Sequence, residues 1–458
     1  MSLAPTPERF DLHVQTLIIG AGACGLTAAL AADEKGQSVL VLERDAVPAG
    51  STALSAGLIP AAGTAQQKAA GITDDAGRFS DDIQRKAKHH NDPAYVAVLA
   101  TGAAPAIDWL TEVHGLPLTL VTDFDYPGHS QRRMHGLPSR AGRDLIDALR
   151  TRAEVLGIDI ICNRHVPTLF TQDDRITGAL AQTPDGSAER IGCDRLILAT
   201  NGFGGNRAMV HEHMPQIEEA LWFGHDGNRG EAMIWGAGLG ADLAQMGAFQ
   251  GHGNVAHPHG ILITWAVITG GGIQVNQMGQ RFWDESQGYS EAARAVLAQP
   301  GGEAWAIFDA RIAGIARQFA DFTEAEAQGA IVQADSPEAL AAALGLPEQP
   351  FTETLANRDD CPFGRDFSDT PPLTPPLCGV RVTGALFHTQ GGLRVDARAR
   401  VLRHDGGPLP NLYAGGGAAV GVSGAGDSGY LSGNGLLAAV VLGRIAGQDW
   451  PDAANPLD

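Results

Sequence analysis

Residues 14–43 place a strand, a glycine-rich turn, a helix, a second strand and an acid in one register, and nothing else in the chain restricts the fold as much. The run Val14-Gln15-Thr16-Leu17-Ile18-Ile19 leads into Gly20-Ala21-Gly22-Ala23-Cys24-Gly25. An alanine-rich helical segment follows and stops at Gly36, and a second apolar run, 38–42, ends in Glu43. The first glycine permits the tight turn, the second lets backbone approach a pyrophosphate, and the third lets helix pack on strand. The helix N-terminus offers unpaired N–H groups and a positive dipole end to the phosphates. Glu43, at the second strand's end, is placed to take two ribose hydroxyls and to repel a 2′-phosphate. A lone Gly-x-Gly-x-x-Gly is also found as an ordinary turn, but with the flanking strands, helix and acid it reads as an adenine-dinucleotide site.

The chain has 458 residues, enough for two domains with substantial cores. No apolar run approaches the eighteen or more residues of a membrane span, and residues 1–13 lack the apolar centre of a signal peptide. Five cysteines (Cys24, Cys162, Cys193, Cys361, Cys378) show no CxxC pair or metal spacing, and their odd number argues against a disulfide framework. A reducing cytoplasm is the compartment expected. The net charge of −20 argues against nucleic acid or an anionic membrane as a partner. It leaves a small-molecule substrate open, because a buried site is set by its local groups.

Periodicity predicts a helix over 141–156, then strands at 159–162, 165–172 and 175–182, with an Asp173-Asp174 turn between the last two. A buried strand is expected at 196–200 and a helix at 231–243. From 248 to 389 the chain changes character, with scattered His, Gly and Pro and a proline-rich loop at 371–376. One helix there begins with Ser336 as N-cap and Pro337 at its first position. Strand, glycine turn and a final helix over 435–446 close the chain. The division expected is a dinucleotide domain of residues 1–247 and 390–458, with 248–389 inserted as a second domain. No second strand–GxGxxG–helix unit is present, so a bound NADH site beside the first is not expected.

Several further blocks make the chain recognisable. They are 50–57 with Gly50-Ser51-Thr52, Leu198-Ala199-Thr200-Asn201-Gly202-Phe203-Gly204, His388-Thr389-Gln390-Gly391-Gly392-Leu393, Leu412-Tyr413-Ala414-Gly415-Gly416 and Gly433-Asn434-Gly435-Leu436. Over essentially its whole length the chain resembles the fumarate reductase and succinate dehydrogenase flavoprotein superfamily. The resemblance implies an α/β fold, a Rossmann-like FAD-binding domain with an inserted α+β capping domain that moves over the flavin. It implies FAD as cofactor. The positions that would hold it are Gly20, Gly22, Ala23, Gly25, Glu43, Arg44, Ser51, Thr52, Gly57, Val166, Ala199, Thr200, Gly202, Glu231, Gly416, Asn434 and Leu436. Where some members attach flavin through histidine this chain has Ser51-Thr52, so FAD is expected without a covalent link. The final helix would aim its N-terminus at the flavin pyrimidine edge and stabilise the charge of reduced flavin.

The chain departs from the fumarate-reducing pattern at the reacting groups. His252, Thr264 and His388 match the family's histidine, threonine and carboxylate-gripping histidine, and no metal is expected of them. The family's glutamate is replaced by Trp265, its proton-donating arginine by Tyr289, a relay arginine by Ile268, and the last clamping arginine by Tyr430. A dicarboxylate would therefore lack its bidentate guanidinium grips and lie in the site with poorly paired charge. Tyrosines at these positions resemble the flavin-dependent 3-ketosteroid and cyclic-ketone dehydrogenases, and Tyr430-Leu431-Ser432-Gly433 resembles their Δ4-type members.

The chemistry implied is desaturation next to a carbonyl. One phenol donates a hydrogen bond where enolate charge develops, and another takes the α-proton as phenolate. By analogy Tyr289 abstracts the proton, while Tyr430, with Ser432, polarises the carbonyl; the two roles are exchangeable. A free tyrosine titrates near ~10, so a base at neutral pH needs neighbours, His252 or His388, to lower its pKa. Tyr126 is a third candidate tyrosine. His257 and His259 sit on a Gly/Pro loop with no metal-binding geometry. The substrate expected is neutral or mono-anionic and cyclic. The alternatives are an enoate reductase like the fumarate and urocanate reductases, with Tyr289 as proton donor, and a flavin-binding protein without turnover. The external electron acceptor is not legible.

Overall fold

The computed structural model describes residues 1–124 and 126–450 and divides them into two compact units. The first comprises Met1–Met209, Gly224–Phe249 and His388–Asp458, and the second Val210–Phe223 and Gln250–Phe387.

A nine-stranded sheet organises the first unit. Its parallel centre sets Leu12–Ile19 between Val39–Leu42 and Ala188–Leu198, with Leu17 opposite both Leu40 and Leu196. Asp159–Ile161 extends it beyond Val39–Leu42, and Pro408–Ala414 pairs in parallel with Ala188–Leu198. Both faces of these strands are covered, so they read as continuous Val/Ile/Leu runs. Leu17, Ile18, Leu196 and Ile197 have no exposed surface.

Helix Ala23–Asp33 is buried from Ala23 to Ala32. Its alanines let the final helix, Asn434–Gln448, pack against it. Two glycines of that helix set the closeness: a Cβ on Gly443 would lie 2.5 Å from the Cys24 carbonyl oxygen, and one on Gly447 2.3 Å from that of Ala28. At the helix's other end Arg195 donates to the carbonyls of Ala446, Gly447 and Asp449, satisfying acceptors that a helix C-terminus leaves unpaired.

The hairpin His165–Gln172 and Arg175–Gln182 turns through Asp173 and Asp174, both at positive φ, where short polar side chains are tolerated. Helix Gly142–Val155 lies where the helix period predicts it, while the strand expected at 196–200 is the last part of a longer one, Ala188–Leu198, that stops two residues sooner. The helix expected over 231–243 ends at Gly238, because Gly240 turns the chain at φ +72° and Leu243–Ala244 then pairs with Gly392–Leu393. The membrane-length expectation also needs correction. Helix Pro93–Glu112, with 20 residues, is long and apolar enough to cross a membrane by length and composition, and half of it is buried. It packs on Ala76–Lys86 and on the final helix, as a core helix does.

In the second unit, strand Leu377–Thr389 is the centre of a seven-stranded sheet. Glu303–Asp309 and Ile331–Ala334 pair with it antiparallel, and Leu221–Trp222 pairs with it in parallel. That parallel pairing ties Val210–Phe223 to this unit. Trp265, Ile268, Phe308, Phe322 and Val380 form its main apolar core. A second cluster surrounds Phe367, whose ring is faced by the guanidinium carbons of Arg281, Arg358 and Arg365 at 5.0, 4.5 and 4.3 Å. Glu285 pairs with Arg281 and Arg365, while Arg365 also donates to the carbonyls of Ile268 and Gly272. Ser336 caps helix Pro337–Leu344 through the Ala339 N–H, as expected.

Candidate active site

The cradle in the first unit starts at the Gly20–Gly25 turn. Gly20 has φ +103°, and a Cβ there would lie 2.4 Å from the Ala199 carbonyl oxygen. A Cβ on Gly25 would lie 1.8 Å from the Gly20 oxygen, so neither position accepts a side chain. Glu43 braces the turn: one carboxylate oxygen accepts from the Ala21 N–H at 2.8 Å and the other from Asp45 N–H at 3.0 Å. Thr52 accepts from the Ala23 N–H at 3.0 Å, at the helix N-terminus. Ser51 accepts from the side-chain amides of Asn201 and Asn228, at 2.8 and 2.9 Å. Gly57 turns at φ +64° against the Ala141 carbonyl, and a Cβ on Gly202 would strike the Thr389 hydroxyl. Gly416 turns at φ +57° beside Cys24. Val166 is buried in its strand and Leu436 is half-buried in the first turn of the final helix. Arg44 donates to Glu231 at 3.1 Å and to the Gly227 carbonyl at 2.6 Å.

These residues fit a dinucleotide. Thr200 Oγ1, Glu231 Oε2, and both Oδ1 and Nδ2 of Asn434 are buried polar atoms with no protein hydrogen bond. Such atoms cost about 1–3 kcal/mol each unless something pairs with them. All belong to positions expected to hold FAD, and a polar cofactor supplies the missing partners.

Beside Asn434 two reactive side chains meet. His388 and Tyr430 make an edge-on ring contact with centroids 5.3 Å apart. A Cβ on Gly435 would lie 3.3 Å from His388 Nε2 and 4.0 Å from the Tyr430 hydroxyl, so both groups converge on the first turn of the final helix. Ser423 donates to Gln390 Oε1 at 2.7 Å, which turns the Gln390 amide to His388 Nδ1 at 3.1 Å. The same Nδ1 lies 3.3 Å from the Thr389 carbonyl oxygen, and Nε2 is the nitrogen nearest Gly435. Burial pushes its pKa down to about 4. Burial pushes Tyr430 up to about 12, against the opposing pull of the Gly435 and Gly433 N–H groups on its oxygen. Ser432 is buried in the same turn.

The second unit holds the other candidates. His252 lies between Tyr289 and Phe387, with ring centroids at 5.1 and 5.3 Å and planes within 19° and 22°, and Phe223 stacks on Phe387 at 4.8 Å. Trp265 meets His252 edge-on at 5.8 Å. The Asn254 N–H donates to His252 Nδ1 at 3.2 Å, which puts the proton on Nε2, and burial pushes the pKa down to about 3. Thr264 accepts from the Ala266 N–H at 3.3 Å and opens the short helix Ala266–Thr269. Ile268 is core. His257 pairs with Glu303 at 3.0 Å. Tyr126, in the first unit, packs edge-on to Phe124 beside Leu58, Val121 and Met134.

One expectation changes. Both histidines are uncharged at neutral pH, so neither offers the positive charge that would draw a tyrosine toward phenolate. The phenol of Tyr430 is instead fixed in its protonated form. Residue pattern alone did not single out the Gln390–Ser423 pair or the Phe223–Phe387 stack. Gln390 was visible inside its motif, but its partner lies 33 residues away.

A glycine cradle for a dinucleotide, with uncharged proton-handling groups beside the start of the final helix, defines an FAD-dependent oxidoreductase. The chain belongs to the FAD binding domain family, which it matches over residues 15–436, and groups there with the fumarate reductase flavoproteins. The probable fumarate reductase Ifc3 of Shewanella frigidimarina is 30% identical over 443 residues, covering 95% of this chain and 74% of that protein. The open conformation of a flavocytochrome c3 fumarate reductase superposes with a TM-score of 0.82 at 29% identity, over 96% of this chain and 78% of that one. The 3-ketosteroid-delta4-(5alpha)-dehydrogenase of Rhodococcus jostii RHA1 shares the fold, with a TM-score of 0.75 at 24% identity over 97% and 98% of the two chains.

Proposed function

We propose that this flavoprotein forms a C=C bond conjugated to a carbonyl in a cyclic substrate that is neutral or carries one negative charge. The observation that carries the reading is the uncharged His388–Tyr430 pair beside the first turn of the final helix. A group that stays a phenol up to about pH 12 is a hydrogen-bond donor, suited to a carbonyl oxygen gaining enolate charge. Tyr430 and Ser432 polarise that carbonyl, with the uncharged His388 ring edge-on to the phenol. Tyr289, its ring flat against the uncharged His252, is assigned the α-proton by the family analogy, and its phenolate would draw its stabilising charge from a group other than His252 or His388. The cradle of Gly20, Gly25, Glu43, Thr52 and Asn434 would hold FAD, which would supply the two-electron acceptor for the β-hydride, while the α-proton leaves to the protein. Ser51-Thr52 stand where some family members attach flavin through histidine, which supports FAD held without a covalent link.

The test is anaerobic mixing of the yellow protein with saturated cyclic ketones, lactams and steroids, with succinate as the comparison. Bleaching by a neutral ketone and not by succinate supports the reading, and bleaching by succinate alone overturns it. In Tyr289→Phe the bleaching rate should fall by about 10²–10⁴, the usual worth of a general base, with FAD still bound.

A second reading has its own support. A phenol kept protonated is also a proton donor, and the relative named above is a probable fumarate reductase. The enzyme would then run as an enoate reductase, with a tyrosine in place of the family's arginine. Protein reduced with dithionite and then mixed with enones and conjugated acids separates the two: reoxidation by an enoate, with no bleaching by any ketone, selects the reductase.

A further inference from the structure

The turn that carries Tyr430, Ser432 and Asn434 is held from outside the site by a histidine that neither the motifs nor the proposed chemistry uses. His129 Nε2 lies 2.9 Å from the main-chain oxygen of Ser432. A carbonyl only accepts, so Nε2 carries the proton and donates. On the other side of the ring, Nδ1 lies 3.5 Å from Arg133 Nη1 and is left to accept. Arg133 has no exposed surface. It donates to Asp74 at 2.9 and 3.1 Å and to Asp82 at 2.6 Å, and both carboxylates are buried.

Asp82 also accepts from the N–H and the hydroxyl of Ser130, each at 2.8 Å. The backbone immediately after His129 is thus tied to one buried ion cluster. Burial, and then the Arg133 charge, push His129 down to about 4, so the ring is a neutral donor of fixed tautomer at neutral pH. Contact is close on the receiving side as well. A Cβ on Gly128 would lie 2.7 Å from Leu431 Cδ1, and one on Gly433, at φ +86°, would lie 2.6 Å from Pro60 Cδ.

We propose that His129 is the positioning residue of the 430–434 turn: its Nε2–H, aligned by the Arg133–Asp74–Asp82 cluster, holds the Ser432 carbonyl and with it the Tyr430 phenol and Asn434. The inference rests on the roles given to Tyr430 and Asn434 above. An ordered hydrogen bond at this point fixes where the final helix begins, which no residue of that helix does by side-chain capping. His129 touches no reacting atom, so its effect travels through the turn.

Hydrogen exchange of the amides in residues 430–437, together with FAD affinity, tests this without a substrate. In His129→Leu the exchange should be about tenfold faster in that segment, with the rest of the unit unchanged, and the Kd for FAD about tenfold higher, the usual worth of one hydrogen bond. His129→Gln places an N–H near the Nε2 position and should return both values to within about threefold of the wild type. His129→Asn reaches only the Nδ1 position and should behave like the leucine variant; it replaces that variant if leucine does not yield folded protein. Unchanged exchange and affinity in the leucine or asparagine variant overturns the proposal. So does uniform acceleration across the unit, which marks a purely stabilising role, or a glutamine variant no better than asparagine. These readouts are independent of the ketone panel, so failure of one reading leaves the other standing.

Discussion

Asn434→Leu is expected to change the FAD-free and FAD-bound proteins in opposite directions. In the structure both polar atoms of this side chain are buried, the residue is 1% exposed, and neither atom has a hydrogen-bond partner in the protein. Each unpaired atom costs about 1–3 kcal/mol, and leucine of similar size removes both penalties while raising helix propensity. The FAD-free variant should gain about 2 kcal/mol, allowing for partial hydration of the asparagine. With FAD, the wild-type side chain recovers its partners and leucine does not. The loss of one or two hydrogen bonds corresponds to a Kd about 10–100 times higher. Denaturant midpoints of the FAD-free proteins and fluorescence titration with FAD give the two numbers. A variant that is less stable without FAD, yet binds it as tightly as the wild type, would refute the assignment of Asn434 to the cofactor.

Four further outcomes follow. Gly25→Ala sets a methyl 1.8 Å from the Gly20 carbonyl and should weaken FAD binding at least about 100-fold. Gly36→Ala, which meets nothing within 4 Å but sits at φ +69°, should cost about 1–2 kcal/mol of stability and leave FAD affinity unchanged. Burial depresses His129, His135 and His388 in the first unit to about 4, from an ordinary value near ~6.5. The unfolded chain therefore binds up to three more protons than the native one between those values. Stability is full above pH ~6.5 and falls with pH, at about 4 kcal/mol per pH unit where steepest. Equal denaturant midpoints at pH 7 and pH 5, with FAD saturating, would contradict this. Acid precipitation should release all the flavin into the supernatant, and yellow colour kept in the pellet would show a covalent link.

The parts of the fold that were legible in the sequence are those where local chemistry leaves one choice. Gly20 and Gly25 cannot carry a Cβ, Asp173 and Asp174 form a turn few other residues accept, and Ser336 with Pro337 opens a helix. Strand Leu377–Thr389 was lost in a stretch of glycine and proline because its pairing on both sides erases alternation, and Gly379 and Gly384 interrupt the apolar pattern. Residues 221–222 join the second unit only through partners more than 160 positions away, which no local window reports. At the site, residue types were visible but protonation was not. His252 and His388 looked able to lend charge to a tyrosine, and only their burial shows that they do not. His129 is a single histidine in a loop, and its value lies wholly in a carbonyl 303 residues away.

The borders between the two units have a consequence for how such enzymes diversify. Three of the four crossings fall inside regular elements: Met209/Val210 in helix Arg207–His213, Phe249/Gln250 in strand Phe249–Ala256 and Phe387/His388 in strand Leu377–Thr389. Domains are more often joined by exposed linkers that accept cutting and splicing. At the two strand crossings a recombination joint would have to be made within a hydrogen-bonded ladder, where a slip of one residue turns every following side chain to the opposite face. At the last crossing that slip would exchange the directions of Phe387 and His388, which are adjacent in sequence and belong to different units. Exchange of whole units is thereby penalised relative to single replacements on an unchanged frame, as arginine-to-tyrosine changes at positions 289 and 430 would be.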